Sequence, residues 1–142
     1  MSLLAISTSS PALSIALVTP DAVLAHDHRL IGRGHAEALV PAVQALLAGR
    51  RPDAILVDVG PGSYTGIRIG IAAARALGLA WGVPVTGCTA LALVAQAAFA
   101  ADAGLDEVLA VIDAGRGQAL ASRVSRLGAM GAAEPISTAP TG

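Results

Sequence analysis

The chain has 142 residues, enough for one domain or one domain and part of another. Hydrophobic residues make up 54 % and aromatics only 2 %, so any core must be built from Ala, Leu, Val and Ile. The net charge of −1, with no basic run, speaks against a protein that grips nucleic acid by its own phosphate contacts.

Leu3 to Ser7 is an apolar run of strand length. Ala12 to Val18 alternates through Leu13, Ile15 and Leu17, the pattern of a strand with one buried face. Ala22 to His28 is a third candidate strand, and the short connections predict an antiparallel meander. No positively charged segment precedes Leu3, so the start does not read as a secretory signal.

His35 to Ala48 follows, with Ala36, Leu39, Val40, Val43, Leu46 and Leu47 at helical spacing. Pro41 lies inside it and predicts a bend. His26, His28, His35 and Glu37 contain no recognised ligand spacing, so no metal site is assigned. Glu37 suits the first turn of a helix, where the dipole favours an acid.

The strand-like Ala54–Val59 then runs into Gly60-Pro61-Gly62-Ser63-Tyr64-Thr65-Gly66-Ile67-Arg68-Ile69-Gly70. A helical pattern continues to Trp81. A strand, a glycine turn and a helix start can hold an anion on free backbone N–H groups, here around Gly60, Gly62, Ser63 and Thr65. The same run also reads as a tight turn capped by Ser63 or Thr65. It is neither a phosphate-binding Gly-Lys-Ser/Thr loop nor a dinucleotide fingerprint. Gly66 comes one position too late for a nucleophile elbow, and no acid–base partner stands out, so no catalytic residue is assigned.

Within the helix, Gly66, Gly70, Ala74 and Gly78 form a small-residue stripe beside the apolar Ile67 and Ile71. Such a stripe packs closely against either the domain's own elements or another subunit. Val83 to Thr86 reads as a short strand and Ala90 to Ala101 as a helix. The breaks at Gly82-Val83-Pro84 and Thr86-Gly87 speak against a membrane span. Cys88 is the sole cysteine, which excludes an intrachain disulfide and fits a reducing compartment.

Leu109-Ala110-Val111-Ile112-Asp113-Ala114-Gly115 echoes Leu3 to Ser9 in pattern. The predicted organisation is a lobe over 1–105, the start of a second over 106–127, and a flexible tail over 128–142 rich in Pro and Gly.

The undecapeptide Gly60–Gly70 closely resembles the Gly-Pro-Gly-Ser-aromatic-Thr-Gly-x-Arg-Ile-Gly signature of the TsaB (YeaZ) family. Leu4-Ala5-Ile6-Ser7-Thr8-Ser9 resembles that family's opening strand, and His35-Ala36-Glu37-Ala38-Leu39-Val40-Pro41 resembles its first helix. The resemblance implies an α/β, ribonuclease-H-like lobe of the actin/Hsp70 group with the start of a second. It implies a cytoplasmic, non-catalytic subunit that binds a TsaD-type catalytic protein, together with a TsaE-type ATPase, in placing threonylcarbamoyl on adenosine 37 of tRNA. No cofactor and no direct tRNA binding are expected. A homodimer is expected through the two helices, with Leu39, Val43, Leu46, Gly66, Ile67, Gly70, Ile71, Ala74 and Gly78 in the contact. Ser7 stands where the family has aspartate, and a hydroxyl is a weak ligand for a hard cation. That departure weighs against the alternative of an actin/Hsp70-like ATPase or phosphotransferase; a third reading, a metallopeptidase, would require stoichiometric metal and peptide cleavage.

Overall fold

The computed structural model describes residues 1–137. The chain divides into two compact units, one of residues 1–59 and 63–88 and the other of 60–62 and 89 onward.

The first unit holds strands β1 (Leu3–Ser7), β2 (Ala12–Val18) and β3 (Val23–Leu30), helix α1 (His35–Leu47), strand β4 (Ala54–Asp58), helix α2 (Tyr64–Trp81) and strand β5 (Val85–Cys88). The sheet order is β3-β2-β1-β4-β5. The first three strands are antiparallel, as the alternating pattern predicts, whereas β4 and β5 join in parallel. Parallel neighbours need a crossover, and α1 and α2 supply the two. This is the ribonuclease-H-like α/β lobe.

The core lies between one sheet face and the two helices. Leu4, Ile6, Leu13, Ile15, Leu17, Ile55 and Val57 meet Leu39, Ala42, Val43 and Leu47 of α1 and Ala74 of α2. Pro41 sits inside α1 without ending it. Both Pro41 and Glu37 one turn earlier are exposed, so the carbonyl left without a helical partner lies on the solvent side. The strand expected at Val83 to Thr86 runs instead from Val85 to Cys88, because its ladder to β4 pairs Ile55 with Val85 and Asp58 with Cys88.

The second unit contains helix α3 (Ala90–Ala101) and strands β6 (Glu107–Gly115), β7 (Gln118–Ser125) and β8 (Glu134–Ser137). They form a second antiparallel meander, β6-β7-β8. Leu91, Ala95 and Phe99 of α3 pack on Ala110 and Val124.

Two expectations about organisation need correction. The helix Ala90–Ala101 groups with the second meander and not with a lobe ending at residue 105, because its apolar side is buried on β6 and β7. The stretch 128–142 is not wholly a tail: residues 134–137 form β8, paired from Ala121↔Glu134 to Gln118↔Ser137. The remainder of that expectation, 138–142, lies outside the described residues.

Candidate functional site

The signature loop meets the end of β1 in a hydrogen-bonded knot within the first unit. Thr8 Oγ1 donates to the Gly66 carbonyl at 2.6 Å. The Ser63 N–H donates to the Ser9 carbonyl at 2.7 Å. Ser63 caps α2: its hydroxyl accepts from the Gly66 N–H at 3.1 Å. The capped-turn reading of Ser63 therefore holds, and one of the free N–H groups an anion would use is satisfied internally. Gly60, buried with φ 89°, has the left-handed conformation that favours glycine, while Gly62 is exposed. Gly60 and Gly62 group with the second unit, and Ser63 and Thr65 with the first.

Ser63 and Thr65 line a cavity of about 600 Å³ in the first unit, with Ser10, Arg33, Glu37 and Gly66 also on its wall. His35, at the start of α1 beside this cavity, is buried. Its Nε2 lies 3.0 Å from the Ser10 carbonyl and 3.2 Å from that of Ala12. Both partners are acceptors, so Nε2 carries the proton and donates. His35 thus ties α1 to the β1–β2 turn. His28 Nδ1 lies 2.9 Å from Ser14 Oγ on the adjacent strand.

Sequence reasoning passed over Asp58, the buried carboxylate at the end of β4. Ser7 Oγ donates to Asp58 Oδ2 at 2.8 Å, and Ser9 Oγ donates to the same oxygen. A carboxylate thus stands beside position 7, at the end of the neighbouring strand. The available signal was a lone acid ending an otherwise apolar strand, two residues before the glycine loop. Chemically, this carboxylate fixes two hydroxyls and braces the β1 end. Cys88 follows on β5, in register with Asp58. Burial, and secondly the Asp58 charge, push its thiol above the ordinary value. Cys88 should therefore alkylate more slowly in the native chain than in the unfolded one near pH about 8.5, and Asp58→Asn should speed the native reaction. Equal rates in all three samples would refute this.

The expected contact residues need correction. Gly66, Gly70, Ala74 and Gly78 are the buried side of α2 and face the unit's own sheet. A Cβ at Gly66 would run into the Thr8 carbonyl oxygen, one at Gly70 would sit 2.5 Å from Thr8 Oγ1, and one at Gly78 would run into Val85 Cγ2. Leu39 and Val43 are core residues, and Leu46 and Ile71 pack against that core. Ile67 is half-buried. Close helix–sheet approach is what the small residues permit, so this stripe cannot also be a subunit surface. The outward sides carry Val40, Pro41 and Ala45 on α1 and Ala72, Ala76 and Leu79 on α2. Leu79 is 86 % exposed and Val40 40 %. Tyr64 also lies outward, with the Arg68 guanidinium 5.3 Å from its ring centre.

No helix among the described residues is long and apolar enough to cross a membrane.

Comparison with known proteins agrees with this architecture. The family model described as TsaD, tRNA N6-adenosine threonylcarbamoyltransferase, matches residues 29–136. The tRNA threonylcarbamoyladenosine biosynthesis protein TsaB of Escherichia coli is 38 % identical over 123 residues, covering 83 % of this chain and 52 % of that protein. The chain thus spans about half the length of the curated relatives it matches. Among solved structures, YeaZ from Pseudomonas aeruginosa superposes with a TM-score of 0.83 at 34 % identity, over 96 % of this chain and 67 % of that one. The ethanolamine utilisation protein EutJ from Carboxydothermus hydrogenoformans shares the fold alone, with a TM-score of 0.56 at 14 % identity over 96 % of this chain and 51 % of that one. The glycine-loop signature, the two-helix lobe and these likenesses together place the chain in the TsaB (YeaZ) family, whose fold is that of the actin/Hsp70 group.

Proposed function

We propose that the chain serves tRNA threonylcarbamoyladenosine synthesis as a non-catalytic subunit that binds a TsaD-type catalytic protein. The docking surface in this reading is the outward face of α1 and α2. The observation that carries it is the exposure of Val40 and Ala45 on α1 and of Ala72, Ala76 and Leu79 on α2, apolar residues on the outward sides of the two helices with Arg68 and Arg75 beside those of α2. Exposed apolar patches mark contact sites more often than chance. The same face, related by a two-fold axis, would make the homodimer when no partner is present. A TsaE-type ATPase completes the proposed assembly, and the RNA is held by the other subunits because this chain has net charge −1 and no basic run.

The test is co-purification with a TsaD-type protein from the same organism, with mass and stoichiometry read by light scattering. Leu79→Glu combined with Ala76→Glu should weaken the complex by about tenfold or more, since charged side chains would be desolvated at the contact. Thermal melting of the variant should be unchanged. The chain by itself should neither hydrolyse ATP nor modify tRNA. Wild-type affinity in the double variant would refute the surface, and ATP turnover by the pure chain would refute the non-catalytic role.

A further inference from the structure

The helical layer of the first unit carries a charge that the whole chain does not. Over residues 31–52 and 60–84, which hold α1, α2 and their flanks, the charged residues are Arg33, Arg50, Arg51, Arg68 and Arg75 against Glu37 alone. The chain as a whole has net charge −1. Arg50 and Arg51 are tied down at the helix ends, where their guanidinium groups donate to the Leu46 and Trp81 carbonyls. Arg68 and Arg75 are different. They stand two turns apart on the exposed side of α2, about 10 Å along its axis, beside Ala72, Ala76 and Leu79. Neither has a carboxylate partner among the described residues, whose ion pairs are Arg29–Asp27 and Arg123–Glu107. The Arg68 guanidinium lies 5.3 Å from the Tyr64 ring centre, a stack that leaves its N–H edge open. Arg75 shares the wall of a groove of about 660 Å³ with Ala76, Leu79, Val83 and Val85.

We propose that the outward face of α2 docks a protein surface bearing two carboxylates about two helical turns apart, and that the same arginines keep copies of this chain from pairing tightly through it. The proposal rests on the docking surface above and adds the partner's chemistry. Each guanidinium presents a planar fork of N–H donors that matches a carboxylate. At a contact that expels water such a pair is stronger than on an open surface. The apolar residues between the arginines, and the groove beside Arg75, favour a protein over nucleic acid, because phosphate contacts gain nothing from Ala72, Ala76 or Leu79. Charge then selects among proteins. A two-fold contact sets this face against its own copy, so each set of arginines meets a face carrying the same arginines. Glu37, in the first turn of α1, is the one acid on the two helices to offset them. Copies of the chain are repelled where an acidic partner is attracted, so the partner displaces the homodimer.

The test is Arg68→Gln combined with Arg75→Gln in the full 142-residue chain. Both residues are exposed, so thermal melting should not move. Binding of the variant to the TsaD-type protein should weaken by about tenfold or more. Its self-association, read by sedimentation without partner, should instead become stronger than that of the wild type. Salt should separate the two contacts. Between about 0.1 M and about 1 M sodium chloride the wild-type complex should weaken by about fivefold or more, while wild-type self-association should not weaken. In the variant the salt dependence of the complex should flatten. Lost packing alone would weaken both contacts together. A variant that self-associates no more strongly than the wild type overturns the proposal, as does a complex indifferent to salt. So does tRNA binding by the pure chain that the two substitutions abolish, since the arginines would then face phosphate. The chain with Leu79→Glu and Ala76→Glu separates docking from its chemistry. If that chain loses the partner while Arg68→Gln with Arg75→Gln binds at wild-type strength, docking stands and the acidic partner falls. If it binds at wild-type strength, the docking surface and this proposal fall together.

Discussion

Gly66→Ala should cost the fold about 3 kcal/mol or more, a large part of the stability of a domain this size. The added methyl would run into the Thr8 backbone carbonyl, not the movable end of a side chain. Neither partner can step back. Thr8 Oγ1 is bonded to the Gly66 carbonyl at 2.6 Å, and the next residue's carbonyl holds the Ser63 N–H at 2.7 Å. Overpacking in a tight core costs about 1–3 kcal/mol, and a backbone obstacle lies at the upper end or beyond. Gly70→Leu should also fail, here against side chains: Thr8 Oγ1, held by its bond to the Gly66 carbonyl, and Val57 Cγ2 stand in its way. Ala72→Leu, on the exposed side of the same helix, should change stability by about 0.5 kcal/mol or less. Chemical denaturation of the three variants decides the matter. If the stripe were a subunit surface, Gly66→Ala would leave the monomer intact and weaken association; an unchanged midpoint would therefore sink the packing account.

The second large effect belongs to Asp58. Truncation to alanine leaves the Ser7 and Ser9 hydroxyls without the oxygen they share, in a place where Ser9 is itself buried. Buried donors deprived of a charged acceptor cost about 1–3 kcal/mol each, so Asp58→Ala should lose about 3 kcal/mol. Asp58→Asn keeps an acceptor oxygen and should lose about 1 kcal/mol. Adding Ser7→Ala and Ser9→Ala to Asp58→Ala should recover part of the loss, because the stranded hydroxyls are then gone. If the triple variant is less stable than Asp58→Ala by the sum of the single serine effects, the three residues do not act as a unit.

Local pattern determined much of the first unit. Leu13, Ile15 and Leu17 alternate, so β2 has one buried face whatever surrounds it. The spacing of Leu39, Val43 and Leu47 makes α1 helical, and Ser63 ahead of Gly66 marks the start of α2. The family signature was legible because one unbroken stretch, Gly60–Gly70, carries it.

Tertiary structure decided what periodicity leaves open. A stripe of Gly66, Gly70, Ala74 and Gly78 shows that something comes close to α2, but helical spacing is silent about which neighbour; the sheet took that side and left Leu79 outside. The bounds of β5 came from its ladder to β4, since a short strand between Gly82 and Thr89 has too few residues to declare its own register. Strand β8 formed in a stretch rich in Gly, Ala and Pro because β7 offered it an edge, and strand propensity counts for less than a partner. The role of Asp58 needed the fold most of all. Its hydroxyl partners lie 49 and 51 residues away in sequence, and only the parallel pairing of β1 with β4 sets the three side by side.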